Sequence, residues 1–295
     1  MKTKIQQNAI LVEEFLKQEL CNASEQENLR KIMEYAVTNG GKRLRPVLLL
    51  SAYELFDEDK NKALPYAAAL EMIHSYSLVH DDLPAMDNDD LRRGKPTCHK
   101  QFSEFGAILA GDALLNLSFE TMLRYAGNFA PRVALRAMAY IAKASGAKGM
   151  CAGQMTDMEQ SVTDFDSLTE MHRGKTGALL KASVVTGGIL GGADEKILDL
   201  LEQYADYIGL IFQIKDDVLD VESDEITLGK PVFSDQKNEK ITFVSEYGLD
   251  RCRELMADYE EKASACLSQV ESLLNREGAC DFLKNLTAYM ANRTN

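Results

Sequence analysis

Apolar residues along this chain recur every three to four positions and almost never alternate, the spacing of helices with one buried face. Helices are predicted over residues 5–20, 26–38, 44–56, 64–83, 103–126, 131–147, 166–190, 195–222, 248–275 and 278–292. Gly40-Gly41 closes the second of these, and Pro46 is tolerable in the first turn of the third. Pro84 ends the fourth, because its ring disfavours helical geometry in the residue before it and removes a backbone donor. The segments AILAGDALLNLSF and TGALLKASVVTGGILGG are apolar nearly all round, as befits helices at the centre of a bundle. No interval reads as a strand, and no linker, repeat or low-complexity tract marks a boundary. The expectation is an all-α fold, a single large helical bundle of about ten helices, forming one domain over residues 1–295.

Charge narrows the range of partners. Lys plus Arg number 33 against 46 Asp plus Glu, a net charge of -13, and no basic run offers a footprint for nucleic acid. An anion must then be bound through local cation clusters or a metal. The six cysteines, at 21, 98, 151, 252, 266 and 280, contain no CxxC pair, so they are expected to be reduced thiols rather than zinc ligands. The first twenty residues alternate charge with apolar positions, unlike a signal peptide, and no 18-residue apolar run predicts a membrane span. A cytoplasmic protein is expected.

Two acidic clusters stand out, the first at a helix end and the loop beyond it, the second within an unbroken helical pattern. SLVHDDLPAMDNDDLRRGKP, residues 77–96, carries Asp81, Asp82, Asp87, Asp89 and Asp90. In FQIKDDVLDVESD, residues 212–224, Gln213, Asp216, Asp220 and Asp224 fall on one helical face. His74, Ser77 and Asp81 likewise share a face. Carboxylates stacked in this way repel unless a cation neutralises them, and hard oxygen donors offered a few at a time suit Mg²⁺. A solvated turn and an exposed acidic face remain the plainer alternative for either cluster alone. An EF-hand is excluded, since counting from Asp87 the glycine is Gly94 and the twelfth position is Cys98.

Basic residues beside glycines tip the balance. They occur as GGKRLRP at 40–46, LRRGKP at 91–96, HRGKTGALL at 172–180 and LGKP at 228–231. One such group could be a helix C-cap with complementary charge. Four of them together with two aspartate clusters suit phosphate oxygens.

These motifs, in order with IHxYSLxHDDLPAMDxDDLRRGxPTxH, AGDAL, GMCxGQ, GxxFQxxDDxLD and TLGK, resemble those of the trans-isoprenyl diphosphate synthases, most of all bacterial farnesyl diphosphate synthases. The likeness runs from about Gly40 to Lys240. It implies an isoprenoid-synthase bundle around a deep apolar cavity, with both aspartate motifs at its mouth, working as a homodimer. The implied reaction condenses dimethylallyl or geranyl diphosphate with isopentenyl diphosphate to give (2E,6E)-farnesyl diphosphate and pyrophosphate. Asp81, Asp87 and Asp216 would ligate Mg²⁺, about three ions with a diphosphate bound, and Asp82, Asp217 and Asp220 would assist. Arg92, Lys175, Thr176, Gln213 and Lys230 would hold the allylic diphosphate. Lys42, Arg45, His74 and Arg93 would hold isopentenyl diphosphate. Lys240 matches a lysine on a closing loop, although the preceding VFSDQKNE departs from the family pattern.

Tyr76, about 7.5 Å down the helix from Asp81, matches the family's cavity floor, with Ser77 beside it. It favours a farnesyl product over the alternative, geranylgeranyl diphosphate. A class I terpene cyclase usually carries a different second metal motif from DDVLD. A non-catalytic partner subunit is disfavoured by the intact aspartates and basic groups.

Overall fold

The computed structural model describes residues 2–222 and 241–293. Four helices open the chain: α1 (Lys2–Cys21), α2 (Glu27–Thr38), α3 (Leu44–Tyr53) and α4 (Leu64–Asp81). A short antiparallel hairpin, β1 (Leu91–Arg92) and β2 (Lys95–Pro96), leads into α5 (Cys98–Gln101), α6 (Glu104–Arg124), α7 (Pro131–Ser145) and α8 (Met150–Met158). Next come α9 (Phe165–His172), a π-helical turn over Arg173–Gly177, α10 (Ala178–Gly191), α11 (Glu195–Glu222), α12 (Phe243–Leu274) and α13 (Asp281–Ala291). The all-α expectation holds, with this hairpin as the only strand pairing among the described residues.

The most apolar helix lies deepest. Every α10 residue from Leu179 to Leu190 except Lys181 is buried, against α3, α7 and α11. Each large aliphatic side chain so buried stabilises the fold by about 1.5–3 kcal/mol relative to exposure. At Gly187 the helices touch backbone to backbone: a Cβ there would lie 2.3 Å from the Leu49 carbonyl oxygen of α3. The same core continues between α4 and α6 through Ile73, Tyr66 and Leu114, all fully buried. α11 packs along α12.

The helices depart from the periodicity most where they shape the site. The predicted helix 166–190 is broken by the π turn, where the extra residue per turn rotates Lys175 and Thr176 relative to α10. The predicted start at 248 is a kink, Gly248 at φ 73°, inside a helix that begins at Phe243. Thr242 caps that start, its side chain accepting from the Ser245 amide at 3.1 Å. α8 was not predicted, because GMCAGQMTDM is short and carries two glycines.

Candidate active site

Between α2 and α3 the chain reverses through GGKRLRP, with Gly40 at φ 86°, Gly41 at φ 123° and Arg43 itself left-handed at φ 50°. Lys42, Arg43 and Arg45 all line a cavity of about 730 Å³, and of these Arg43 is the most enclosed by its ion pairs, at 3% exposure. His74 of α4, Arg93 and Lys95 of the hairpin, and Arg293 beyond α13 share its walls. Arg93 reaches it from the hairpin tip, where Arg93 and Gly94 have φ of 54° and 74°, the positive pair of a two-residue type I′ turn. Its guanidinium donates to the Gly40 carbonyl, and a Cβ on Gly41 would come within 2.7 Å of it. Glycine at 41 is therefore required by its φ, while a side chain there would displace the end of Arg93.

Arg45 and His74 touch at 3.2 Å, and because arginine only donates, His74 Nε2 accepts. Burial, reinforced by Arg45 and Arg93, holds the imidazole well below its ordinary pKa, so the ring is neutral. Burial likewise pulls Arg45 down to about 10, still charged at neutral pH. The same two residues line a second cavity of about 470 Å³. Its walls are Tyr76, Ser77 and Asp81 of α4, Met150, Gln154 and Met158 of α8, and Lys175 and Thr176 of the π turn. The two chambers thus share a wall made by the Arg45–His74 pair.

The first motif places its two outer aspartates by a loop instead of a helix. α4 stops at Asp81, and residues 83–86 bulge so that the Asp87 amide donates to the Asp81 carbonyl at 2.9 Å. That is the bond a residue four further along an unbroken helix would make. The longer spacing in sequence is thereby returned to helical spacing in space. Asp82 turns inward instead, accepting from Arg92 Nε at 2.7 Å, and burial pushes its carboxyl up to about 6 despite Arg92. Arg92 and Asp82 thus hold each other beside the hairpin, and neither lines either chamber.

On α11, Asp216 forms an ion pair with Arg293, whose guanidinium also lies 4.2 Å over the Phe212 ring. Asp217 accepts from Gln213 Nε2 at 3.1 Å and from the Phe243 amide at 2.8 Å, fastening the start of α12 onto α11. Asp220 is buried. Gln213 also accepts from Thr176 at 3.3 Å, bringing two predicted allylic-site residues together. Lys175 donates to Asp157 of α8 at 2.6 Å. Lys230, Lys240 and Asp224 lie outside the described residues.

Among the described residues no three histidine, cysteine or acidic side chains converge as a ready-made metal site. The donors fit Mg²⁺ all the same, since this ion takes one or two carboxylates and fills its remaining positions with water and substrate phosphate. Asp81 in the wall of the second chamber, Asp87 tied to it through the backbone, and Asp216 paired with Arg293 of the first chamber's wall offer hard oxygens of that kind.

Sequence reasoning missed Gln154, Asp157 and Arg293. Gln154 donates to Asp81, and with Asp157 three residues on it shares one face of α8, a signal present in GMCxGQ once α8 is read as a helix. Their approach to the π turn depends on glycine: a Cβ on Gly153 would lie 2.1 Å from the Lys175 amide nitrogen. Arg293, a lone arginine near the chain end, gave no local signal.

Residues 26–276 match the family model described as polyprenyl synthetase. The chain is 47% identical over 246 residues to farnesyl diphosphate synthase of Geobacillus stearothermophilus, covering 82% of this chain and 83% of that one. It is 41% identical over 271 residues to the chloroplastic geranylgeranyl pyrophosphate synthase of Catharanthus roseus, covering 91% and 73%. The crystal structure of an FPP/GFPP synthase from Zymomonas mobilis superposes with a TM-score of 0.85 at 36% identity, covering 98% of both chains. With that ordered motif set, a helical bundle of the same shape and a family match spanning most of its length, this chain is a member of the polyprenyl synthetase family.

Proposed function

We propose that the protein condenses dimethylallyl or geranyl diphosphate with isopentenyl diphosphate, giving (2E,6E)-farnesyl diphosphate and pyrophosphate. The whole chain would act as one catalytic unit. The observation that carries this reading is the wall of Arg45 and His74 common to both chambers, which suits two diphosphates brought side by side. Lys42, Arg45, His74 and Arg93 would hold isopentenyl diphosphate in the first chamber. Lys175, Thr176 and Gln213, with Arg92 and Lys230, would serve the allylic diphosphate.

Asp81, Asp87 and Asp216 would hold Mg²⁺, about three ions around the diphosphate, with Asp82, Asp217 and Asp220 supporting them. When bound, Mg²⁺ supplies charge to offset that growing on the leaving pyrophosphate. The allylic C1–O bond breaks with its electron pair going to pyrophosphate, and Lys175 stabilises that charge from the π turn. Met150, Met158 and Leu179 wall the second chamber with apolar surface, which keeps water from the allylic cation. Isopentenyl carbon 4 then bonds to allylic carbon 1, and the proton lost from carbon 2 goes to pyrophosphate. His74 is unsuited to take it, because its Nε2 already accepts from Arg45.

Tyr76, buried and lining the second chamber, favours the farnesyl product, and geranylgeranyl diphosphate is the alternative. α6 presents Phe105, Ile108 and Leu109 to solvent at 72%, 44% and 54% exposure, an apolar face that supports a homodimer. No described helix is long and apolar enough to cross a membrane, which agrees with action in the cytoplasm. Purified protein incubated with geranyl diphosphate, isopentenyl diphosphate and Mg²⁺ should release pyrophosphate and form farnesyl diphosphate. Absence of metal-dependent pyrophosphate release would overturn the reading, and a cyclised hydrocarbon would point to a cyclase.

A further inference from the structure

Glu71 has no part in the reaction just described, yet it is the one carboxylate among the described residues lining the first, cationic chamber. A carboxylate there opposes an anionic ligand unless it serves a cation. It is 2% exposed, and Arg43 Nη1 donates to it at 2.8 Å. Arg43 is equally enclosed, 3% exposed, and its other nitrogens donate to Glu13 at 3.1 Å and to the Val37 carbonyl at 2.7 Å. Its backbone is left-handed, a conformation an arginine keeps only where the surroundings hold it. Lys42 and Arg45 flank this fixed point in the chain.

We propose that Glu71 is a positioning residue for isopentenyl diphosphate. By anchoring Arg43 in the chamber wall, it fixes the turn on which Lys42 and Arg45 also reach the chamber. The inference rests on isopentenyl diphosphate being the occupant of that chamber. Glu71 touches neither substrate in this scheme and acts through Arg43. Loss of its charge leaves Arg43 buried with one anion fewer, and the left-handed turn loses its strongest restraint.

Glu71→Gln discriminates by sign. A carboxylate that merely contributed charge would, once neutralised, cease to repel the diphosphate, and isopentenyl diphosphate would bind more tightly. A positioning carboxylate gives the opposite result. Calorimetric titration of isopentenyl diphosphate into the full chain, without allylic substrate, should show Kd raised about tenfold or more. Steady-state KM for isopentenyl diphosphate should rise in parallel, while KM for geranyl diphosphate changes by less than about twofold. Arg43→Lys, which keeps the charge but cannot span three acceptors, should show the same split. It decides alone if Glu71→Gln does not fold. Tighter or unchanged isopentenyl diphosphate binding, or equal rises for both substrates, would overturn the proposal. Wild-type protein that binds no isopentenyl diphosphate would instead sink the chamber assignment, and the proposal with it.

Discussion

Tyr76 lines the second chamber from α4, its ring edge-on to His80 at 5.7 Å between centroids and its hydroxyl toward Cys151. In the proposed role as the chamber's floor Tyr76 would limit chain growth by volume, so Tyr76→Ala should yield products longer than those of the wild type. Chromatography of the dephosphorylated prenols checks this, and an unchanged distribution removes Tyr76 from the role. His74 makes a different prediction. Its folded pKa is depressed, so below about 6.5 the unfolded chain takes up a proton that the folded chain refuses. The stability this provides is complete above that pH and is lost as pH falls. Melting temperatures between about pH 7 and pH 5 should decline less steeply in His74→Gln than in wild type; identical slopes would refute it. The face shared by His74, Ser77 and Asp81 was legible from helical arithmetic. The inward turn of Asp82 and Asp217 was not, since their neighbours in space come from the hairpin and from α12.

At the scale of elements, the site depends on places where regular helix gives way. The π turn carries Lys175 and Thr176, and α8 lies against it through Gly153. Gly153→Ala should force the two apart, destabilising the fold by about 1–3 kcal/mol and lowering turnover through the displaced lysine. Denaturant melts and steady-state rates test this together, and a variant unaltered in both would contradict the packing. Long helices such as α4 and α11 could be read from periodicity because their buried faces repeat over many turns. The π turn could not, because one extra residue leaves the apolar pattern of 166–190 nearly unbroken. The hairpin also escaped, being two residues per strand and exposed, with Arg93 where a type I′ turn favours asparagine or glycine.

For the molecule as a whole, fold class followed from the absence of alternation, and family from motifs spread over most of the chain. The exposed side of α6 was harder to foresee. AILAGDALLNLSF reads as a buried helix, yet Ile108 and Leu109 face outward. If two copies meet there, Leu109→Glu should shift the protein from dimer to monomer in sedimentation, and a wild type sedimenting as a monomer would exclude this interface.

The wall shared by the two chambers has a consequence for inhibitors. A molecule carrying one diphosphate for each side, joined by a short isoprenoid spacer, meets the second chamber as an intramolecular event. Effective concentrations for such short links reach the millimolar range, and avidity can exceed either half alone by ~10²–10⁴. Arg45 and His74 would then act as the fulcrum of a bivalent ligand, with selectivity set by spacer length instead of by either headgroup.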